Sequence, residues 1–299
     1  MICDHVETEH LALGPGIMAD NKPGIGREEL LKIVGEYDAL IVRSRTKVDR
    51  EVLDRATRLR LVARPGTGLD NVDVEYAKAK GVQVVNSPES LVEAVAEHVT
   101  LLMLALSRKL VSADASMRQG KWDKNALVGR ELKGKVLGIV GLGRIGRRIA
   151  EIARALGMSV IIYDVITIPP DVIEKLQCKV VGLDEVFAQA DYVTLHVPMT
   201  NETGHLVNGS RLSKMKKTAF VINTSRGGVV DEGALGAALR DGVIAGAALD
   251  VFEREPPTGE ILNAPNTILT PHIGGQTEEA QVDAISITGE KVRAFFTGS

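Results

Sequence analysis

The chain has 299 residues, 44% of them apolar and only 3% aromatic. That is enough for two packed domains whose cores must be filled by Val, Ile, Leu and Ala. A formal net charge of −3 with both signs dispersed argues against a nucleic-acid surface, which would show a basic patch. The two cysteines, Cys3 and Cys178, fit no metal or disulfide pattern, and no leader-like start or apolar stretch of membrane-spanning length is present. A protein of the reducing cytoplasm without a metal is therefore expected.

Strand and helix signals alternate along the chain, which predicts a parallel α/β protein. Met1-Ile2-Cys3 can form only a very short first strand, and Glu7 to Gly26 reads as loop. Short apolar strands follow at Ala39–Val42, Leu59–Ala63 and Val82–Val85, separated by helical patterns at Glu28–Val34, Asp49–Ala56 and Asp73–Lys80. Asn86-Ser87-Pro88 introduces a long helix from Glu89 to Arg108; Pro is well placed at a helix start because its missing N–H is not needed there. From Val136 onwards come seven strand signals: Val136–Val140, Met158–Tyr163, Lys179–Val181, Tyr192–Val197, Phe220–Asn223, Ala247–Val251 and Ile268–Thr270. Asp184–Gln189 and Glu232–Arg240 are helical, and Thr277 to Phe296 has apolar residues at helical spacing. The pattern predicts one large doubly wound sheet and a second, smaller one.

Within the large sheet, Val136 runs straight into Gly141-Leu142-Gly143-Arg144-Ile145-Gly146, and a helical stretch follows to Leu156. This Gly-x-Gly-x-x-Gly turn has the full context of a dinucleotide site. Gly141 permits the tight turn, Gly143 lets backbone N–H groups approach a pyrophosphate, and Gly146 lets helix and strand pack closely. Asp164 ends the next strand, where a carboxylate holds the ribose hydroxyls and repels a 2′-phosphate, so NAD is expected over NADP.

Reduction or oxidation of a carbonyl carbon by such a cofactor needs groups that grip the substrate, polarise the carbonyl and move a proton. In an open parallel sheet these belong beyond the carboxyl ends of the strands. Arg226 stands there beside Gly227-Gly228, and a guanidinium can clamp a carboxylate with two parallel hydrogen bonds. Asp250 ends a further strand, with Glu253, Glu255 and Pro256-Pro257 after it. His272 lies between Pro271 and Gly274-Gly275, the most acid/base-like context of the six histidines. A buried Glu beside an imidazole stabilises the protonated form and makes it a better proton donor near neutrality. His196 also ends a strand but lies on the adenosine side, as a structural or cofactor-lining residue.

Several segments together resemble the D-isomer-specific 2-hydroxyacid dehydrogenases: Val42 to Val48, Arg64 to Asp73, Gly141 to Arg147, Asn223 to Asp231, Ala248 to Phe252 with Glu255-Pro256-Pro257, and Pro271 to Gly274. The resemblance runs from Asp38 to Phe296. It implies two Rossmann-like or flavodoxin-like parallel-sheet domains, the larger one doubly wound and NAD-binding. The smaller, substrate-binding domain would be discontinuous, from residues 1–88 and 276–299, with 89–275 forming the NAD domain. The implied catalytic trio is Arg226 on the substrate carboxylate and carbonyl oxygen, His272 passing the proton, and Glu255 tuning His272. Asp250 would lie near the nicotinamide carboxamide. Arg144, Ile145, His196, Val197, Pro198, Thr203, Thr224 and Gly274 would line the cofactor. Gly66, Thr67 and Gly68 would offer N–H groups to the substrate acid.

Such enzymes close a cleft during turnover and are usually homodimers, with the helix after Pro88 and the loop near Trp122 crossing between subunits. Arg43 and Arg64 end strands of the small domain, where two guanidiniums suit a phosphate dianion; pairing with acids across the cleft is the competing reading. A reductase of small unphosphorylated 2-oxo acids stays open as an alternative, and so does a dinucleotide-sensing binding protein on the same fold. Some members carry C-terminal regulatory domains; none fits after Phe296, so no feedback through such a domain is expected.

Overall fold

A computed structural model describes residues 1–298, which divide into two units, one of residues 1–92 and 275–298 and the other of 93–274. The smaller unit holds a parallel sheet in the order β1 (Ala39–Ile41), β2 (Leu61–Arg64), β3 (Gln83–Asn86). Its side chains alternate between two cores, as the pleat requires. Leu40, Val42 and Val62 join Leu30, Val52 and Ala77 on one side, while Ile41, Leu61 and Ala63 join Ile285 and Val292 of helix Glu278–Thr297 on the other. Asp49, Asp73 and Thr277 start their helices by accepting the N–H groups of Val52, Tyr76 and Ala280, each replacing a hydrogen bond the first turn cannot make. The short first strand is present only as single-residue pairings of Ile2 with Ile41 and with Asn21. A three-residue 3₁₀ turn, Thr8–His10, interrupts the loop after it.

The larger unit is a seven-stranded, wholly parallel sheet. Its strands are β4 (Val136–Val140), β5 (Ser159–Tyr163), β6 (Cys178–Val180), β7 (Tyr192–Leu195), β8 (Phe220–Asn223), β9 (Gly246–Leu249) and β10 (Thr267–Leu269), ordered β10-β9-β8-β7-β4-β5-β6. The central strands β7, β8 and β9 are buried at every position, as strands of a parallel sheet covered on both faces are. The close fit shows at Gly138 of β4, where any Cβ would lie 2.6 Å from Val186 Cγ1 and 2.9 Å from Ala190 Cβ. The chain order reverses between β4 and β7, which is where an open parallel sheet leaves a crevice at its carboxyl edge.

Several expected boundaries shift. The strand expected over Tyr192–Val197 leaves the sheet after Leu195, because its neighbours end level with it, Leu195 pairing with Val140 on one side and Asn223 on the other. The strands expected at Lys179–Val181, Ala247–Val251 and Ile268–Thr270 begin one residue earlier and stop at Val180, Leu249 and Leu269. The long helix begins at Val92, not Glu89, because Ser90 donates through both N–H and hydroxyl to Ser87 O and closes a separate turn first. A second helix, Leu110–Arg118, follows the left-handed Lys109 (φ 51°) and was not expected.

Candidate active site

The glycine turn closes β4 at the crevice. Gly141 has φ 95° and its Cβ position lies 2.5 Å from His196 O, so the turn packs directly on the end of β7. At Gly146 a Cβ would lie 2.3 Å from Gly141 O, and only glycine lets the helix Arg144–Ala155 start this close to the strand. Gly143 is the opposite case: its Cβ direction is open, and as N-cap it offers no side chain to the helix's first N–H groups. Those N–H groups, with the positive end of the helix dipole, are free for an anion. Arg144 is exposed and Ile145 half-buried at this helix start. Asp164, just past β5, accepts the Leu142 N–H at 2.7 Å through Oδ2 and the Ile166 N–H at 3.0 Å through Oδ1. Its carboxylate is thereby tied to the turn.

At the neighbouring edge, His196 accepts from or donates to Thr194 Oγ1 at 2.8 Å through Nε2. Burial pushes its imidazole down to about 3, so it stays neutral at working pH. Val197 is half-buried, and Pro198 is exposed and accepts the Thr203 hydroxyl through its carbonyl at 2.6 Å. Thr203 thus closes its own loop. The Thr224 Oγ1 is buried without a hydrogen-bond partner, an omission that a ligand hydroxyl or amide would repair. Open space at Gly143, the anchored Asp164 and the unsatisfied Thr224 together fit a bound dinucleotide.

Beyond β8, β9 and β10 the structure gathers the remaining groups. Buried Asn223 ends β8 and staples the next loop, accepting the Ser225 N–H and hydroxyl at 3.0 and 2.8 Å and donating to Arg226 O at 2.9 Å. Gly227 then presses against the β9 loop so closely that a Cβ would fall 1.8 Å from Phe252 C. The half-buried Arg226 guanidinium donates to Ser225 O at 2.7 Å. His272 Nδ1 stands 2.9 Å from Glu255 Oε2, and Glu255 Oε1 also accepts the Phe252 N–H at 3.3 Å. His272 has φ 55°, a left-handed conformation that histidine adopts more readily than bulkier residues do. The expected buried Glu is corrected: Glu255 is 42% exposed, because residues 253–256 run past the strand ends and not into the core.

Asp250 is 1% exposed and fully occupied. It accepts the Thr270 hydroxyl at 2.6 Å and the N–H groups of Ile273 and Gly274 at 2.9 and 2.8 Å, with His98 Nε2 3.5 Å away. Burial alone raises its pKa, but the hydrogen bonds from His98, Thr270, Ile273 and Gly274 outweigh it and hold the carboxyl below its ordinary value. His98 and Thr270 were missed in the sequence. The one available signal was a histidine on the apolar face of a helix, between Val95 and Val99.

In the smaller unit, Arg64 is the last residue of β2 and Arg43 lies two past β1, on adjacent strands. Buried Asp4 organises the turn after Arg43, accepting the N–H of Arg43 at 2.6 Å and the N–H and hydroxyl of Thr46 at 3.2 and 2.8 Å. Asn71 closes it from the other side, donating to Arg43 O and Thr46 O. The Arg43 guanidinium donates to Gln281 Oε1, an amide and not an acid. Gly66 (φ 121°) takes the Arg64 guanidinium against its open side, its N–H donates to Ser87 Oγ at 2.8 Å, and the Thr67 hydroxyl is buried without a partner. Gly68 follows, half-buried. Asp4 and Asn71 are further positioning groups not singled out from the sequence.

Known proteins are similar to this chain in sequence and fold. A family model described as the NAD binding domain of D-isomer specific 2-hydroxyacid dehydrogenases matches residues 100–274. A D-3-phosphoglycerate dehydrogenase from Synechocystis sp. is 44% identical over 281 residues, 93% of this chain and 50% of that relative. A hydroxypyruvate reductase from Thermotoga maritima is 45% identical over 259 residues, 85% of this chain and 83% of the relative. The crystal structure of a glyoxylate reductase from Paecilomyes thermophila matches with a TM-score of 0.92 at 30% identity, covering 99% of this chain and 94% of that one. The chain spans about half the length of the curated phosphoglycerate dehydrogenases it matches.

Proposed function

The chain belongs to the D-isomer-specific 2-hydroxyacid dehydrogenases, and we propose that within this family it oxidises 3-phospho-D-glycerate to 3-phosphooxypyruvate, the entry to serine synthesis. The observation that carries the chemistry is the His272–Glu255 pair, 2.9 Å apart beyond the strand ends of the unit that bears the dinucleotide turn. The Gly141–Gly146 turn and Asp164 would hold NAD, which would supply the hydride-accepting chemistry. His272 donates its Nδ1–H to the Glu255 carboxylate, which leaves the Nε2 lone pair as the base. In the oxidation Nε2 takes the hydroxyl proton as the hydride leaves the same carbon, so that the C–OH becomes C=O. In the reverse direction the protonated imidazole returns the proton. Arg226 holds the substrate carboxylate and the developing carbonyl oxygen. His196, held neutral by its burial, does not compete for this role.

The phosphorylated substrate rests on Arg43 and Arg64, which bring two guanidiniums to the carboxyl edge of the small sheet beside the Gly66-Thr67-Gly68 turn. The similar proteins named phosphoglycerate dehydrogenases support it, and the similar hydroxypyruvate reductase supports the second reading, reduction of a small 2-oxo acid. Arg64→Ala separates the two. It is expected to lower kcat/KM for phosphoglycerate by roughly 10²-fold, about 3 kcal/mol, and to leave glycerate or glycolate little changed. NADH absorbance over a substrate panel reads this out, and an unchanged kcat/KM for phosphoglycerate would sink the phosphate assignment.

Asp164 is the proposed ribose ligand. Asp164→Ala is expected to cost about tenfold in NAD affinity, ~1.4 kcal/mol, and to narrow the preference over NADP. Titration of both cofactors measures it; an identical NAD/NADP ratio in the variant removes Asp164 from that role.

In this reading the enzyme is a homodimer of the cytoplasm. Leu101, Leu110, Val111, Met117 and Trp122 expose apolar surface on neighbouring segments of the larger unit, Trp122 to 80%. Cys3 and Cys178 are free and buried, and among the described residues no helix is long and apolar enough to cross a membrane.

A further inference from the structure

His98 lies on helix Val92–Ser107, far in sequence from Asp250, Glu255, Thr270 and His272. It is only 10% exposed, and its Nε2 sits 3.2 Å from Thr270 Oγ1 and 3.5 Å from Asp250 Oδ1. The hydrogen-bond directions in this cluster are determined. Asp250 is ionised and only accepts, so the Thr270 hydroxyl proton points to it across 2.6 Å. The Thr270 oxygen is then left as an acceptor, and His98 must present Nε2–H to it. The chain of donors runs His98 to Thr270 to Asp250, and Asp250 in turn receives the N–H groups of Ile273 and Gly274. The Asp250 carbonyl also accepts the N–H of His272 itself at 2.8 Å. Both sides of His272 are therefore fastened to one residue, and that residue is fastened to the helix through His98. Packing agrees: a Cβ at Gly274 would lie 3.0 Å from Asp250 Oδ2 and 3.7 Å from His98 Cδ2, so the imidazole fills the space behind the loop.

We propose that His98 is a positioning residue, whose Nε2–H, through Thr270 and Asp250, locks the 270–274 loop and sets the left-handed backbone that aims His272. The inference rests on the dehydrogenase reading for its effect on turnover, but its effect on the loop does not. A polar buried group that loses its partner relaxes the whole network, and misplacement of a reacting group by about 1 Å costs on the order of 10²-fold in rate.

The test compares His98→Ala with His98→Gln, whose amide can still donate towards Thr270. His98→Ala is expected to lower kcat roughly 10- to 100-fold while the KM for NAD stays within about threefold. Amide hydrogen exchange at Ile273 and Gly274 should speed up about tenfold in the same variant, with β4 amides unchanged. His98→Gln is expected to recover most of both. Unchanged exchange at these two amides in folded His98→Ala overturns the proposal. So do equal losses in the two variants accompanied by a common fall in Tm, which would make His98 a packing residue. A wild-type protein inactive on every 2-hydroxy acid would remove the enzymatic reading instead, and the exchange measurement would then decide the positioning by itself.

Discussion

Replacing His272 by Gln lowers kcat by roughly 10²- to 10⁴-fold while NAD binding holds within about twofold; this is the expected result if the imidazole moves the proton. Gln fills a similar volume and can hydrogen-bond to Glu255, but it cannot take a proton from a hydroxyl near neutral pH. The turn at Gly141–Gly146 is untouched, so a cofactor should still bind. The backbone adds a control. His272 has φ 55°, a region Asn tolerates better than Gln, so His272→Asn should be at least as stable and equally inactive. Single-turnover NADH formation and cofactor fluorescence titration measure the two quantities. A kcat within tenfold of wild type in both variants would remove His272 as the proton carrier.

The second large effect concerns the fold that supports the site. Gly227→Ala places a Cβ 1.8 Å from Phe252 C, 1.9 Å from its O and 2.4 Å from Glu253 N. All three are backbone atoms, so the loops after β8 and β9 must separate, and these loops carry Arg226 and Glu255. The cost is expected to reach about 3 kcal/mol or more, a fall of about 6–12 °C in Tm for a unit of this size. Gly228→Ala is the matched comparison. Its Cβ meets only the flexible Met199 tip, at 3.0 Å from Cε, and should cost under about 1 kcal/mol. Differential scanning calorimetry separates them, and equal Tm values would contradict the packing argument.

Local chemistry makes much of this legible in the sequence. The strand-turn-helix at Gly141–Gly146 needs only glycines, an apolar run and a following acid, all within about 30 residues, the length of one βαβ unit. Arg226, Asp250, Glu255 and His272 could be nominated because each follows a strand, and parallel sheets gather strand ends at one edge. Strand boundaries were less legible, since they are set by where a neighbour stops pairing, as at Leu195 between Val140 and Asn223. Glu255 was expected to be buried; whether a loop turns inward depends on what packs over it, which no pattern within the loop encodes.

The sequence by itself determined the parallel α/β plan, the dinucleotide turn and the residue types that could do the chemistry, because period, glycine placement and strand-end position are local properties. Only the tertiary structure decided which of those residues meet. Glu255 finds His272 from 17 positions away, Asp4 organises the turn after Arg43 from 39, and His98 reaches Thr270 across 172. Such pairs are fixed by strand order and helix packing. Their hydrogen bonds form only once the intervening chain has been ordered by burial of its apolar residues, so no local pattern carries them.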